Sequence, residues 1–431
     1  MHTLLFLEPG HFHATLTLRE PNPRVSPEVF VYASGGPELR DFLALVERFN
    51  GRAERPTRWR PVAVTDEDPL GRLIAERRGD VVVLAGRNGG KARTFHRLHE
   101  AGFHVLADKP WLVEPADLEP IRVSLQGWPL VREIMTGRHD VAAGLFKRLV
   151  DRRDVFGDFR TDGPAIEVEG VHQLEKLVDG APLRRPPWFF DVRVQGGGAV
   201  DIPTHVVDQS QWLLEGRDVA AGAPARLDSA RAWATEVPLE AFARITGHPQ
   251  FPPELRSWVE DDVLRYACNA ELAYRIGGVA ARAKVSWALS TPPGGADTHA
   301  SVAHGTRADV LMERTADTGY RRRLLVQPHG DPAFVSAALT DLVAGVQREL
   351  PGVGVAATGG GRYELTIPHA LDAGHESQFA RVLDGFLALV DERTWPAALA
   401  ERTLAKYTLL AEAAALTRGG AAVDVATEAS R

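Results

Sequence analysis

Continuous apolar runs alternate with amphipathic segments along the first third of the chain. Residues 4–7, 29–32 and 81–84 are almost wholly apolar, whereas residues 38–49 and 70–78 mix apolar and charged positions. Continuous apolar runs are typical of parallel strands buried on both faces, and amphipathic segments are typical of helices that cover such a sheet. The pattern therefore predicts an α/β fold with right-handed crossovers.

A strand, a helix and a second strand are predicted between residues 80 and 110. The apolar runs 81–84 and 105–106 flank an amphipathic segment, and Gly102 is a natural stop for its helix. Lys109 follows at the carboxyl end of the second strand. Because ligands of open α/β sheets bind at that edge, the lysine is well placed for chemistry. The next elements are predicted as a strand over 124–134 and a helix over 142–150.

The pattern changes after Gly157, where alternating runs of apolar and polar residues become longer. Arg282 and Lys284 alternate with apolar neighbours, as in a strand with one solvated face. Strands are predicted over 263–276, 279–289, 298–303, 308–313, 322–326 and 362–367, and helices over 332–349, 376–391 and 395–416. We therefore expect a large open sheet, followed by a frayed tail over 419–431.

Glycines and charged residues are concentrated in residues 195–208, where consecutive glycines precede Asp201, His205 and Asp208. If a helix begins near Pro203, His205 and Asp208 lie three residues apart on one face. Asp201 then stands at the cap position, where a carboxylate accepts from free backbone N–H groups. The segment is either the edge of an active site or an N-cap followed by surface charges.

The chain of 431 residues is long enough for two domains with separate cores. Its net charge of -7 argues against a nucleic-acid partner, which requires a basic surface. No apolar run approaches the roughly 20 residues of a membrane span, and the first residues are expected to form a strand rather than a signal peptide. The single cysteine, Cys268, is expected in a strand core. We expect a cytoplasmic protein with a small polar substrate and with no nucleic-acid or membrane partner.

The Lys-Pro pair at 109–110 and the glycine, aspartate and histidine pattern of 196–208 together resemble the Gfo/Idh/MocA oxidoreductases. The segment 176–191 and the opening 8–14 are similar to a branch of that family described only as oxidoreductases. The resemblance covers nearly the whole chain. It implies an N-terminal Rossmann domain over 1–137 and a C-terminal α/β domain over 138–418, built on a large open, mainly antiparallel sheet.

The resemblance also implies catalytic residues. Lys109 matches the lysine of the family's Glu-Lys-Pro motif, with Asp108 in place of the glutamate. Asp201 and His205 match an aspartate of the catalytic region and the catalytic histidine. In the implied reaction His205 takes the proton of a hydroxyl group, Lys109 stabilises the charge on the same oxygen, and a nicotinamide accepts the hydride.

The implied cofactor is NAD or NADP, and its turn departs from the family pattern. Gly10 matches the middle glycine of the Gly-x-Gly-x-x-Gly turn, whereas Glu8 and His13 replace the first and the third. The close packing that glycine permits must therefore be achieved otherwise. The residues expected to bind the cofactor are Gly10, His11, Phe12, Ser34, Gly86, Asn88, Asp108 and Lys109. His11 and His13 flank the cofactor turn in this interpretation, and a metal pair there is the alternative.

The implied substrate is a carbohydrate-like molecule, namely a sugar, glycoside or cyclitol. The residues expected to bind it are Arg138, His172, Lys176, Arg185 and Trp188. An indole can cover the apolar face of a sugar ring while fixed donors meet its hydroxyl groups. The alternatives are that Trp188 packs in a core with the phenylalanines that follow it, and that His172 and Lys176 are exposed helix residues.

Three other interpretations stay open. In the first the fold serves binding without redox chemistry, in the second it uses a permanently bound NAD for glycoside cleavage or epimerisation, and in the third the chain is a metal-dependent lyase, isomerase or hydrolase. The metal in the last case would bind His172, His205, Asp201 and Asp208. The family resemblance further implies a homo-oligomer, a dimer or a tetramer, paired through the open sheet.

Overall fold

The computed structural model describes residues 1–178, 181–217, 219–220, 222–290, 296–371, 374–418 and 423–424. Two compact units divide the chain, one made of Met1–His139 and Ala373–Tyr407, the other of Asp140–Asp372 and Thr408–Arg431. The predicted tail lies outside the described residues, apart from 423–424. No described helix is long and apolar enough to cross a membrane.

The strands are β1 (Leu4–Leu7), β2 (Glu28–Ala33), β3 (Arg60–Thr65), β4 (Val81–Leu84), β5 (His104–Asp108), β6 (Val131–Ile134), β7 (Ile166–Glu175), β8 (Leu177–Val178), β9 (Ala181–Pro182), β10 (Ala225–Pro238), β11 (Val259–Glu260), β12 (Val263–Ile276), β13 (Val279–Ser290), β14 (Thr298–His304), β15 (Ala308–Arg314), β16 (Arg323–Pro328), β17 (Gly354–Thr358), β18 (Arg362–Thr366) and β19 (Val423–Asp424). The helices are α1 (His13–Leu16), α2 (Pro37–Asn50), α3 (Pro69–Glu76), α4 (Lys91–Glu100), α5 (Leu118–Ser124), α6 (Val141–Asp151), α7 (Val192–Gln195), α8 (Pro203–Leu214), α9 (Leu239–Thr246), α10 (Pro332–Val346), α11 (Gln378–Asp391) and α12 (Ala397–Thr417).

The first unit is built on a parallel sheet. Its described residues form six strands in the order β3-β2-β1-β4-β5-β6, and every neighbouring pair is parallel. All four residues of β1 and all four of β4 are buried, as expected for strands covered on both faces. This order reverses between β1 and β4, which is the Rossmann arrangement, and the predicted N-terminal fold is confirmed.

Helices from both ends of the sequence build the core of the first unit. Leu39, Phe42 and Val46 of α2 are buried at helical spacing against the sheet. Phe379 and Phe386 of α11 lie in the same core cluster. The segment 373–407 therefore belongs to the first unit, whereas the sequence analysis assigned it to the second domain.

The second unit is built on a mainly antiparallel sheet, as predicted. Among the described residues, eleven strands join it, in the order β17-β18-β16-β15-β14-β7-β13-β12-β10-β19 with β11 beside β12. Within that described sheet, only β7 and β13 pair in parallel. Cys268 is buried in β12, as expected.

One face of this sheet is polar and carries ion pairs between neighbouring strands. Arg231 Nη2 of β10 lies 2.9 Å from Glu271 Oε2 of β12, and Glu271 also pairs with Arg282 of β13. Lys284 Nζ of β13 lies 2.6 Å from Glu169 Oε1 of β7. The alternation of charged and apolar residues in β13 therefore has the predicted cause, because the strand exposes one face and buries the other.

One local prediction and one of the alternatives are wrong. The segment 124–134 is not one strand, because Ser124 ends α5 and only Val131–Ile134 forms β6. Gly127 adopts a positive φ of 82° and Pro129 follows, so the backbone cannot remain extended across this stretch. His172 and Lys176 do not lie on a helix, because His172 is part of β7 and Lys176 follows it.

Candidate functional site

A cavity of about 390 Å³ lies at the carboxyl ends of β1, β2 and β4 in the first unit. Its volume falls within the range of small-molecule sites, about 300–1,000 Å³. Gly10, Ser34 and Gly86, three of the predicted cofactor residues, line it, together with Glu8 and Lys91. Of the other predicted cofactor residues, Asn88 follows β4, Asp108 and Lys109 are at the end of β5, and His11 and Phe12 follow Gly10.

The close approach of two loops explains the glycine at position 86. A Cβ atom at Gly86 would lie 2.3 Å from the carbonyl oxygen of Glu8 and 3.1 Å from the backbone nitrogen of Gly10. Any side chain there would push apart the loops that follow β1 and β4. Glu8 adopts a positive φ of 44°, and its Oε1 accepts a hydrogen bond of 2.9 Å from the backbone nitrogen of Ser34. The carboxylate at the position of the family's first glycine is thus held at the end of β2.

His11, His13 and Asp108 form a cluster beside this cavity. Asp108 Oδ2 lies 2.9 Å from His13 Nδ1 and 3.6 Å from His11 Nδ1. Burial raises the pKa of the Asp108 carboxyl, but His13 and then His11 outweigh burial and hold that pKa well below its usual range. Burial, and then the neighbouring His13, lower the pKa of His11 well below 6.5. Asp108 is therefore a carboxylate and His11 a neutral imidazole at neutral pH.

Lys91 links two of the predicted cofactor residues. Its Nζ donates to Asn88 Oδ1 at 2.5 Å and to the backbone carbonyl of Asp108 at 2.8 Å. Lys91 is itself buried, so the ammonium is compensated by these oxygens rather than by water. Lys91 was not predicted as a site residue, although it is the first residue of α4 and follows the predicted Asn88 closely.

The backbone that follows Lys109 is anchored in a buried network. Lys109 comes directly after β5, and the Lys109-Pro110 peptide bond is cis. The backbone nitrogen of Trp111 donates to the Tyr407 hydroxyl at 2.9 Å, and the two rings stack with centroids 5.6 Å apart. Tyr407 donates to Glu133, which also pairs with Lys406. These contacts fix the chain position from which the Lys109 side chain extends.

In the second unit, a glycine turn leads into α8, which begins at Pro203 as predicted. A Cβ atom at Gly198 would lie 2.2 Å from the carbonyl oxygen of Asn269 in β12, so the turn requires glycine there. The prediction that Asp201 caps this helix is wrong. Ile202 is the N-cap residue, and Asp201 is buried in the turn with its backbone nitrogen bonded to Gly197.

Asp201, His205 and Asp208 lie within one compact stretch of the second unit. Asp208 is buried and His205 is partly buried on α8. Their spacing of three residues places them on the same side of the helix. The catalytic roles of His205 and Asp201 stay predictions. The third predicted catalytic residue, Lys109, belongs to the first unit.

Two of the predicted substrate residues meet at an aspartate that the sequence analysis missed. Asp297 Oδ2 lies 2.7 Å from Lys176 Nζ and 3.5 Å from His172 Nδ1, and Oδ1 accepts from the backbone nitrogen of Gln173 at 2.9 Å. Burial raises the pKa of Asp297, but the hydrogen bond from His172 and the charge of Lys176 hold it well below its usual range. The carboxylate thus fixes both predicted donors.

Arg185 is buried, and its side chain supports β7. The guanidinium donates to the backbone carbonyls of Leu174 and Gln173 at 2.9 and 3.0 Å. It lies over the ring of Phe189 at 4.4 Å and over that of Trp287 at 5.1 Å. Burial lowers the pKa of Arg185 to about 10. Arg185 therefore positions β7, the strand that includes His172.

The remaining predicted substrate residues occupy different places. Trp188 is partly exposed in the short 3-10 helix Pro187–Phe190, whereas Phe189 and Phe190 are buried. The alternative of core packing therefore holds for Phe189 and Phe190 but not for Trp188. Arg138 lies in the 3-10 turn Gly137–His139 of the first unit.

His299 is a second functional candidate that the sequence analysis missed. Its Nε2 lies 2.7 Å from Ser301 Oγ, which also accepts from Gln209 Nε2 of α8 at 3.2 Å. Burial, then His172 and Arg314, lower the pKa of His299 to about 4. The side chain therefore stays neutral at neutral pH and can hydrogen-bond a polar ligand.

Among the described residues, the group that could hold a metal ion is His11, His13 and Asp108. His172, His205, Asp201 and Asp208 are all described and do not form such a group. The structure therefore does not assemble the metal site on which the lyase, isomerase or hydrolase interpretation depended.

A family model described as "Putative oxidoreductase C terminal domain" matches residues 145–418. The solved structure of a "putative oxidoreductase" from Parabacteroides merdae ATCC 43184 is 34% identical, with a TM-score of 0.92, and the match covers 97% of this chain and 98% of that one. A comparison with curated proteins found no match.

More distant solved structures share the fold at low identity. Levoglucosan dehydrogenase in complex with NADH and L-sorbose is 16% identical, with a TM-score of 0.59 and 99% coverage of both chains. KijD10, a 3-ketoreductase from Actinomadura kijaniata in complex with NADP and TDP-benzene, is also 16% identical, with a TM-score of 0.57 and 97% coverage of both chains.

Proposed function

The chain belongs to the Gfo/Idh/MocA oxidoreductase family, and on that premise we propose that it transfers a hydride between a nicotinamide dinucleotide and a secondary hydroxyl group of a sugar, glycoside or cyclitol. The observation that carries the proposal is the cavity of about 390 Å³ at the carboxyl edge of the parallel sheet, next to the point where the strand order reverses. Open α/β sheets bind dinucleotides at that point.

The residues around the cavity fit such a cofactor despite the missing glycines. Gly86 keeps the loop after β4 close to that after β1, and Gly10 lines the cavity at the first turn. The Glu8 carboxylate is engaged by the backbone nitrogen of Ser34, and Lys91 supplies a cation at the start of α4. A pyrophosphate group would be held by such a cation and by the backbone N–H groups of the turns.

The chemistry of hydride transfer assigns a role to each predicted catalytic residue. A bound nicotinamide dinucleotide supplies the hydride acceptor or donor. His205 takes the hydroxyl proton, because histidine is the side chain that most often serves as a general base near neutral pH. Lys109 donates a hydrogen bond to the alcohol oxygen and stabilises the charge that develops on it. Asp201 accepts from the imidazole and fixes its tautomer.

The proposed substrate class is supported by the polar group on β7. His172 and Lys176 are partly exposed donors that Asp297 fixes in place, and Trp188 is a partly exposed indole of the same unit. Fixed donors together with an aromatic face are the combination that binds polyhydroxylated rings. Among the relatives, levoglucosan dehydrogenase binds NADH together with L-sorbose. A homo-oligomer stays a prediction, which the molar mass of the purified chain in solution tests.

Two measurements test the proposal on the purified full-length protein. NADH and NADPH are first titrated by fluorescence, and sugars, glycosides and cyclitols are then screened through the absorbance of the reduced nicotinamide. We expect saturable nicotinamide binding and turnover of at least one secondary alcohol. Failure to bind either nucleotide would remove the proposed function.

The role of Lys109 is tested separately by Lys109→Ala, with Lys284→Ala as the matched control. Lys284 is an exposed strand residue paired with Glu169. We expect turnover to fall by about 10²-fold or more in Lys109→Ala, the lower range for loss of a group that stabilises developing charge, and to stay unchanged in the control. Equal turnover in the two variants would contradict the role of the lysine.

A further inference from the structure

We propose that His11, His13 and Asp108 form a binding site for one divalent transition-metal ion of the zinc class. The inference goes beyond the hydride-transfer proposal, since its test measures metal binding and not nicotinamide binding or turnover, and the two histidines are not part of the family pattern. His11 and His13 come from the turn after β1 and the start of α1, and Asp108 is the last residue of β5. Two imidazoles and one carboxylate are a common donor set for zinc, nickel and cobalt.

The distances between the donor atoms suit a single ion. One ligand atom from each residue lies within 4.8 Å of the other two. Asp108 Oδ2 is 2.9 Å from His13 Nδ1 and 3.6 Å from His11 Nδ1. Two ligands that are each about 2.0–2.2 Å from a tetrahedral ion are separated by about 3.4 Å. The two measured separations lie on either side of that value, so small side-chain rotations bring the donors into coordination.

A hydrogen bond between His13 and Asp108 accounts for the position of His13 but not for that of His11. His13 Nδ1 and Asp108 Oδ2 are within hydrogen-bonding distance, and such a pair needs no ion. His11 Nδ1 is buried and has no hydrogen-bond partner, although a carboxylate oxygen lies 3.6 Å away. That distance is too long for a hydrogen bond. Buried polar atoms normally have a partner, and an ion shared with Asp108 would supply it.

The charges and donor atoms around the three side chains select the kind of ion. Lys91 and Lys109 place positive charge nearby, which weakens the binding of any cation. The imidazole ligands offset this repulsion for zinc-class ions. They do not offset it for Mg²⁺ or Ca²⁺, which prefer oxygen ligands.

An ion at this site would connect two strand ends of the first unit. It would fix the turn after β1 to the end of β5, on either side of β4 in the sheet order. His13 stands where the family has its third glycine, a residue that lets the first helix pack closely on the sheet. The ion would replace that packing by coordination, and its removal should lower the thermal stability of the unit.

The test uses untagged, metal-free, full-length protein titrated with ZnCl₂ and with CoCl₂. Calorimetry gives the stoichiometry, and the visible absorption of bound Co²⁺ reports its ligands. We expect one ion per chain and a rise in Tm on loading, with neither effect from MgCl₂. His11→Gln should weaken the affinity for Zn²⁺ by about tenfold or more, within the range known for loss of a supporting interaction at a metal site.

His96→Gln is the matched control, because His96 is a partly buried histidine of the same unit that is hydrogen-bonded to Ser124. It should bind Zn²⁺ as the wild type does. His11→Gln removes a side chain whose Nδ1 lacks a hydrogen bond, so the metal-free variant should keep the Tm of the metal-free wild type. Absence of saturable binding, or equal affinity in wild type and His11→Gln, would overturn the proposal.

Discussion

At the scale of single residues, Glu38 and Arg87 bear on the choice between NAD and NADP. Both line the cavity, and Arg87 Nη2 lies 3.6 Å from Glu38 Oε1. The carboxylate can accept from ribose hydroxyl groups and repels an added phosphate, while it neutralises the arginine that would attract one. Residues 34–36, directly after β2, include no acidic side chain, and Glu38 lies two positions further on, in the first turn of α2.

We therefore expect the wild type to bind NADH more tightly than NADPH. In Glu38→Gln the ratio of the two dissociation constants should shift towards NADPH by about tenfold, which corresponds to about 1.4 kcal/mol. Fluorescence titration of both nucleotides measures it, with Glu47→Gln on the exposed side of α2 as control. Tighter binding of NADPH to the wild type would contradict the prediction.

His299 makes the stability of the chain depend on pH. Its pKa is about 4 in the folded chain because of burial and then of His172 and Arg314, whereas an unfolded histidine titrates near about 6.5. Between these values the unfolded chain binds more protons than the folded one, so the free energy of unfolding falls as the pH falls from about 6.5 to about 4.

His299→Gln should flatten part of that decrease, since glutamine can hydrogen-bond Ser301 without titrating. Urea unfolding at several pH values between about 7 and about 4 measures the slope. The exposed His248 offers the control variant His248→Gln, which should keep the wild-type slope. Identical slopes for His299→Gln and the wild type would show that the buried imidazole does not contribute.

The sequence predicted site residues that stand at the ends of elements, and it missed those that depend on strand pairing. Lys109 follows a strand that the apolar pattern predicts, and His205 follows a helix start that Pro203 predicts. Asp297 contacts Lys176 across 121 positions of sequence, because β14 pairs with β7. No local sequence pattern indicates that β14 pairs with β7. Lys91 was missed for a related reason, since the burial of a lysine is decided by the oxygens that surround it.

At the scale of elements, α12 and β6 are joined by a buried ion pair. Lys406 Nζ lies 2.5 Å from Glu133 Oε2, and the Tyr407 hydroxyl donates to the same carboxylate. Both charged side chains are almost fully buried. Removal of one partner from a buried pair costs about 3–5 kcal/mol, because the other charge is left uncompensated.

Lys406→Met should therefore lower the free energy of unfolding by about 3–5 kcal/mol, and the double variant Lys406→Met, Glu133→Gln should recover part of the loss. Urea denaturation measures both. Lys284→Met at the exposed pair with Glu169 should change the stability by about 0.5 kcal/mol or less. A loss in Lys406→Met no larger than in this control would refute the structural role of the pair.

Elements with strong periodicity were predicted closely, and elements that depend on distant packing were not. Helix α2 and strand β12 match their predicted ranges within a residue at each end. Strand β10 went unrecognised, because Asp228, Ser229 and Arg231 interrupt its apolar positions and it includes two register shifts against β12. The assignment of α11 to the first core depends on contacts with elements more than 200 positions earlier, which periodicity cannot indicate.

At the scale of the whole molecule, the position of the cavity predicts where a bound nucleotide slows hydrogen exchange. Its lining comes mainly from the loops after β1, β2 and β4, with residues 68–70 beyond β3, all in the first unit. A ligand that binds only the folded state reduces the population of open states by a factor of 1 + [L]/Kd, about 100-fold at a concentration of 100 Kd. Segments that open locally around the cavity should show this protection most strongly.

With NADH at saturation, we expect slower exchange in peptides that cover residues 7–13, 34–38 and 84–91. Peptides from the β15–β16 hairpin should exchange as in the free protein, because these strands belong to the second unit and do not line the cavity. Mass spectrometry after deuterium labelling measures both sets in one experiment, and a nucleoside without phosphate controls for weak, nonspecific effects. Protection confined to second-unit peptides would place the nucleotide elsewhere and would contradict the assignment of this cavity, even if NADH binds tightly.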